Sequence, residues 1–163
     1  MSSKMIIRFQ DCDPLNHLNN AKYFDYYFNA REDQVFQAYK LTSADFFKKF
    51  KAGWVAYNHN ISYLRPALVG ENVIIHSSII FHNENTMVVE LYMTDLENKT
   101  LKNHLWTTMK YIDVKTGLSM SHHPEVMDLL GKVTLEEVNF DQIDKNERMK
   151  QIKADLLKNS ETK

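Results

Sequence analysis

The chain has 163 residues, which favours one domain with a real core. Its 20 basic and 21 acidic residues leave a net charge of −1, so nothing in the charge balance favours nucleic acid or an anionic membrane. No apolar run nears the roughly 20 residues that span a bilayer. A single cysteine, Cys12, allows no intramolecular disulfide, and with no secretory leader evident in MSSKMIIRFQ a cytoplasmic protein is expected.

In chain order, residues 5–9 (MIIRF) predict a short strand. It leads into DCDPLNHLNN at 11–20, an unusual concentration of acids, asparagines and a histidine. Residues 21–40 contain no proline or glycine and predict a long helix, with Asn19 and Asn20 as the N-cap candidates. Phe24, Tyr27, Phe28, Val35 and Tyr39 fall near helical spacing, and Tyr23 and Tyr26 widen the apolar surface. A helix apolar almost all round belongs inside other structure. A second helix is expected at 42–50, capped by Thr42 or Ser43.

The pattern then changes to period two. Residues 54–64, 72–81, 86–94 and 100–112 predict four strands, with Val73, Ile75, Ser77, Ile79 and Phe81 on one face of the second and Met87, Val89, Leu91 and Met93 on one face of the third. Short connectors with turn residues make neighbouring strands antiparallel. A short helix is expected at 124–130, with Pro124 opening it and Gly131 after its end. Residues 141–158 predict a charged, solvated tail helix with a thin apolar stripe through Ile152 and Leu156. One helix buried on the concave face of an antiparallel sheet is the economical α+β arrangement for this order.

RFQDCDPLNHLNNAKYFDYYFNARED resembles the N-terminal signature of hotdog-fold acyl-CoA thioesterases, the group that includes 4-hydroxybenzoyl-CoA thioesterase. The matching residues are Phe9, Asp11, Asp13, His17, Asn19, Asn20, Tyr23, Ala30 and Arg31. YLRPALVGENV at 63–73 resembles the family's Arg-Pro turn, and HPEV at 123–126 its closing segment. The resemblance implies a hotdog fold, five to six antiparallel strands around one central helix. Residues 1–131 would form the domain, with 132–163 as a C-terminal helical extension.

It also implies roles. Asp13 matches the family's catalytic carboxylate. Asn20 stands where a helix N-terminal backbone amide polarises the thioester carbonyl, and His17 is a further catalytic candidate. Tyr23, Tyr27, Asn19 and Arg65 are candidate substrate contacts. The expected partners are an acyl-CoA substrate, or an acylated carrier protein, and further copies of the chain in a homodimer or homotetramer with the site at the subunit interface.

The chemistry fits these residue types. A thiol leaves readily, so one carboxylate can attack a thioester or activate water, provided N–H donors meet the developing oxyanion. Asp11 is expected to be structural, accepting backbone N–H groups in the turn. Cys12 is expected to be inert, since flanking acids disfavour its thiolate. Asn16 stands where relatives carry glycine, and asparagine tolerates a left-handed backbone. The seven histidines lack the spacing of a zinc site, and no cofactor or metal is expected. Arg65, Lys102 and Lys110 are the candidate cations for the phosphates of coenzyme A. No histidine lies in 21–40, which disfavours a hotdog dehydratase. A non-catalytic acyl-binding protein is the reading from another class.

Overall fold

The computed structural model describes residues 1–40 and 42–161. Strands β1 (Ser2–Ile6), β2 (Ala52–Tyr63), β3 (Asn72–His82), β4 (Thr86–Asp95) and β5 (Leu101–Asp113) form one antiparallel sheet in the order β1-β3-β4-β5-β2. Helix α1 (Tyr23–Tyr39) lies in the concave face, and α2 (Ser43–Phe50) packs beside β2. Helix α3 (Pro124–Val133) closes that side, and α4 (Lys145–Glu161) lies on the outer face. This is the hotdog α+β architecture that the resemblance implies. No described helix is long and apolar enough to cross a membrane.

The central helix starts later than its sequence suggests. Asn20–Lys22 form a 3-10 turn, capped by Asn19, whose side-chain oxygen accepts the N–H of Ala21 at 3.0 Å. The buried seam of α1 is Tyr23, Tyr26, Tyr27, Ala30 and Gln34; of the expected stripe of Phe24, Tyr27, Phe28, Val35 and Tyr39, Tyr27 alone is fully buried. Small Ala30 lets the helix approach the sheet. Gln34 is buried because its amide donates to the carbonyl of Ile75 at 3.1 Å and to the Ser3 hydroxyl at 2.9 Å. Thr42 caps α2 in a reciprocal capping box with Asp45. Gly53 makes room for α2, since a Cβ there would collide with the ring of Phe47.

Strand β1 lies three residues earlier than expected. Its ladder with β3 ends at Ile6–Asn72, and Phe9 falls in a 3-10 turn with 80% of its surface exposed. The chain leaves the ladder because the N–H of Arg8 is taken by the Tyr26 hydroxyl at 2.8 Å.

The alternation in β3 holds through Val73, Ile75, Ser77 and Ile79; a register shift then sets Phe81, expected on that same face, opposite Val88 on the outer face, where it packs with Ile80 and Val138. Helix α3 runs to Val133 and so includes Gly131. Its end is marked by Thr134, whose N–H and hydroxyl both reach the carbonyl of Leu130.

The tail helix is not solvated on all sides. Met149, Ile152 and Leu156 pack with Leu101 on the outer face of the sheet, and Val138 packs with Ile80 and Val88. Strand β4 is therefore buried on both faces. Glu90, on that outer face, is the polar anchor. It accepts from His104 Nε2 (2.9 Å), Trp106 Nε1 (3.0 Å) and Arg148 Nη2 (2.8 Å). Burial pushes the Glu90 carboxyl up, but hydrogen bonds from His104 and Arg148, with the Arg148 charge, outweigh it and hold the group at about 2.

Candidate active site

Residues 11–19 form a small hairpin. The N–H of Asn19 donates to the carbonyl of Asp11 (2.9 Å), Cys12 pairs with Leu18, and the N–H of Asp13 donates to the carbonyl of His17 (2.8 Å). At the tip, Asn16 has φ 61°, the left-handed angle its residue type tolerates. The second arm pairs in turn with the segment after Arg65-Pro66: the N–H of Leu18 donates to Ala67 O at 2.8 Å, and the N–H of Val69 to Asn16 O at 3.0 Å. The two stretches that carried the family resemblance are thus one substructure.

Asp13 sits where this hairpin turns. Its Oδ1 accepts the N–H of Leu15 at 2.9 Å and of His17 at 3.1 Å. Its Oδ2 takes no hydrogen bond from the described residues. One oxygen is therefore fixed by the loop and the other is available for chemistry. His17 supports this geometry through its backbone; its ring makes no hydrogen bond among the described residues.

Asn20 opens the 3-10 turn before α1. Its carbonyl accepts the Tyr63 hydroxyl at 3.0 Å, while its N–H has no acceptor among the described residues. That is the state of a first-turn amide able to meet an oxyanion.

Asp11 is structural through partners other than those expected. Its Oδ2 accepts the Tyr26 hydroxyl at 2.9 Å, and Lys22 Nζ lies 3.9 Å from Oδ1. Since Tyr26 also accepts from Arg8, one phenol ties the hairpin to the central helix. Cys12 donates to the carbonyl of Arg8 at 3.3 Å, and burial, then Asp11 and Asp13, push its thiol up from the ordinary value. The thiolate is disfavoured, as a packing role requires.

Tyr23 and Tyr27 are buried. Tyr23 packs edge-on against Tyr63 with centroids 5.3 Å apart. Tyr27 has no exposed surface, and its hydroxyl donates to Asn103 Oδ1 at 2.7 Å. It supports the site from behind and presents nothing to a ligand in this chain.

The candidate cations separate. Lys102 is used internally, ion-paired with Glu71 at 2.8 Å and donating to the carbonyl of Pro66 at 2.9 Å, so it holds the Arg-Pro turn. Lys110 donates to the Thr86 hydroxyl. Arg65 alone is exposed with no side-chain partner among the described residues. No group of three metal-ligating side chains occurs among the described residues.

The Thioesterase-like superfamily pattern matches residues 7–141, most of the chain and all of this site. The chain belongs to the Thioesterase-like superfamily.

Solved thioesterase-like structures share the fold. The YbaW probable thioesterase from Escherichia coli superposes with a TM-score of 0.72 at 23% identity, covering 83% of this chain and 99% of that one. A 1,4-dihydroxy-2-naphthoyl-CoA thioesterase from Synechocystis gives 0.70 at 10% identity, covering 87% and 98%. A 12:0-ACP thioesterase from Umbellularia californica gives 0.76 at 15% identity, covering 89% of this chain and 55% of that one. No curated protein matches the chain. The fold and family of this thioesterase-like chain are those of thioester hydrolases.

Sequence reasoning missed Tyr26 as the strut of the hairpin and the Glu90–His104–Arg148 cluster. The signal for Tyr26 was its helical register with Tyr23 and Ala30. Nothing in the sequence pairs Glu90 with Arg148, 58 residues away.

Proposed function

We propose that the protein is an acyl-CoA thioesterase, hydrolysing a thioester to a carboxylic acid and coenzyme A, with Asp13 as the catalytic carboxylate. The observation that carries this reading is the asymmetry of Asp13: Oδ1 is held by two backbone N–H groups while Oδ2 is uncommitted. Oδ2 either attacks the carbonyl carbon, giving an anhydride that water hydrolyses, or takes a proton from an attacking water. In both routes the C–S bond breaks, the thiolate leaves and water supplies the oxygen of the acid. The free N–H of Asn20 meets the carbonyl oxygen as charge develops on it.

Around this centre, Asn19 presets the turn, His17 holds Asp13 through its backbone, Tyr23 and Tyr27 back the acyl path, and exposed Arg65 meets the phosphates of coenzyme A. The site works in a homodimer formed along the β2 edge. There Val55–Asn60 lie exposed, with Tyr57 73% exposed, as an unpaired strand edge requires a cover.

Thiol release from a panel of acyl-CoA and acyl-carrier-protein thioesters tests the reading. Turnover of acyl-CoA that Asp13→Asn removes is the expected result. No turnover with any acyl-CoA overturns it, and turnover confined to the carrier-protein thioesters moves the substrate to that class.

A further inference from the structure

A cavity of about 590 Å³ lies away from the Asp13 hairpin, between the second half of α1, helices α2 and α3, and the concave face of the sheet. Its size is within the ~300–1,000 Å³ typical of small-molecule sites. Its walls are mostly apolar, among them Val35, Phe46, Ile79, Val89 and Leu130. Asp13, Asn20 and Tyr23 do not line it. On α1 the lining begins at Phe28, and a rise of about 1.5 Å per residue sets Arg31 roughly 12 Å along the helix from Tyr23.

Among the described residues, Arg31 is the one cationic side chain in that lining. Burial pulls its guanidinium down from its ordinary value, and no carboxylate pairs with it among the described residues. The only acid in the lining among the described residues, Glu32, is exposed and makes no ion pair with it. Of the five guanidinium N–H donors, those on Nη1 alone are engaged, at 3.1 Å from the Ser77 hydroxyl and 3.8 Å from the Met1 sulfur. Ser77 is itself fixed, donating to Gln34 Oε1, and Gln34 is tied to Ile75 and Ser3. The guanidinium is therefore held in place from one side, with Nε and Nη2 left without acceptors among the described residues. Arg31 is half-buried, and a planar guanidinium left partly unsatisfied is matched best by a carboxylate that takes two parallel N–H bonds.

We infer that this cavity is a binding site for a free alkyl carboxylate, a fatty acid whose carboxylate pairs with Arg31 and whose chain fills the apolar space beside α2 and α3. The site is separate from the Asp13 centre. Its occupant belongs to the product class of the proposed hydrolysis, but binding requires no turnover.

Calorimetric titration of the full chain with dodecanoate and with dodecanol, both below their aggregation concentrations, tests this. The expected result is one dodecanoate per chain, with dodecanol at least tenfold weaker. Arg31→Gln weakens dodecanoate at least tenfold and leaves dodecanol unchanged, whereas Arg31→Lys restores part of the preference. Asp13→Asn binds dodecanoate as the unmodified chain does. Equal binding of acid and alcohol, or no binding of the acid, overturns the inference. So does loss of dodecanoate binding in Asp13→Asn, which would locate the acid at the hairpin. If Arg31→Gln fails to fold, the acid–alcohol comparison on the unmodified chain still decides. Absence of thiol release in the activity assay leaves each of these outcomes as it stands.

Discussion

Arg148 of α4 donates through Nη2 to Oε2 of Glu90 at 2.8 Å, across the outer face of a sheet whose other face holds the central helix. Glu90 is almost wholly buried, so this pair fastens the last helix to the domain. Removing one partner leaves the other charged and desolvated. Glu90→Gln and Arg148→Met should each destabilise the fold by about 3–5 kcal/mol, read as a lowered denaturant midpoint. Replacing both with apolar residues should cost less than either alone, and a double mutant worse than both singles would show that the pair is not the unit.

The same cluster sets an acid limit. The folded carboxyl of Glu90 is held at about 2, below its ordinary value of 4.5, so its contribution is present above pH 4.5 and is lost as pH falls through about 2. His104 adds to this in the same direction. Burial lowers its imidazole from the ordinary value, so the unfolded chain binds the proton more readily and acid favours unfolding. Stability measured by denaturant titration should fall from about pH 6.5 downward. In Glu90→Gln the fall below pH 4.5 should be shallower. An unchanged slope in that variant would remove Glu90 from the account.

Asp13→Asn separates chemistry from folding. An amide keeps an Oδ1 that can accept the N–H groups of Leu15 and His17, so the melting temperature should stay close to that of the unmodified chain. What is lost is the anionic oxygen. Thiol release should fall at least about 100-fold. Asn20→Ala should cost much less, because the proposed donor is its backbone N–H.

Tyr26→Phe removes the phenol that both accepts from Arg8 and donates to Asp11. Two buried or half-buried groups lose a partner at once. The expected loss of stability is about 1–3 kcal/mol, together with a smaller loss of activity from a looser hairpin. A fully active and fully stable Tyr26→Phe would show that the hairpin needs no strut.

Tyr57→Glu addresses the β2 edge. Placing a charge on the exposed strand should shift the molecular mass measured by light scattering from dimer toward monomer, and thiol release should fall with it. Full activity in a monomeric variant would rule out a site completed by a second copy.

How much of this was legible beforehand differs by residue. Hydrophobic alternation marked β3 and β4 because a strand's side chains alternate strictly between faces, so Val73, Ile75, Met87, Val89, Leu91 and Met93 all lie where their period puts them. The same logic failed for α1. With aromatic residues nearly all round, the period could not choose a face, and the choice fell to Ala30 and Gln34, which packing and hydrogen bonding admit to the core. The loop chemistry of Asn16 was readable because its backbone angle is a local property.

The sequence by itself determined the order and type of the elements, the left-handed turn and the stretch that carries Asp13, since propensity, period and turn preference act over a few neighbouring residues. The tertiary structure alone decided that Lys102 is committed to Glu71, that Tyr26 braces Asp11, that Arg148 reaches Glu90 and that Arg31 faces a mostly apolar cavity with no carboxylate paired to it among the described residues. Those relationships join residues from 15 to 58 positions apart, and only closure of the sheet around the helix brings them within hydrogen-bond reach.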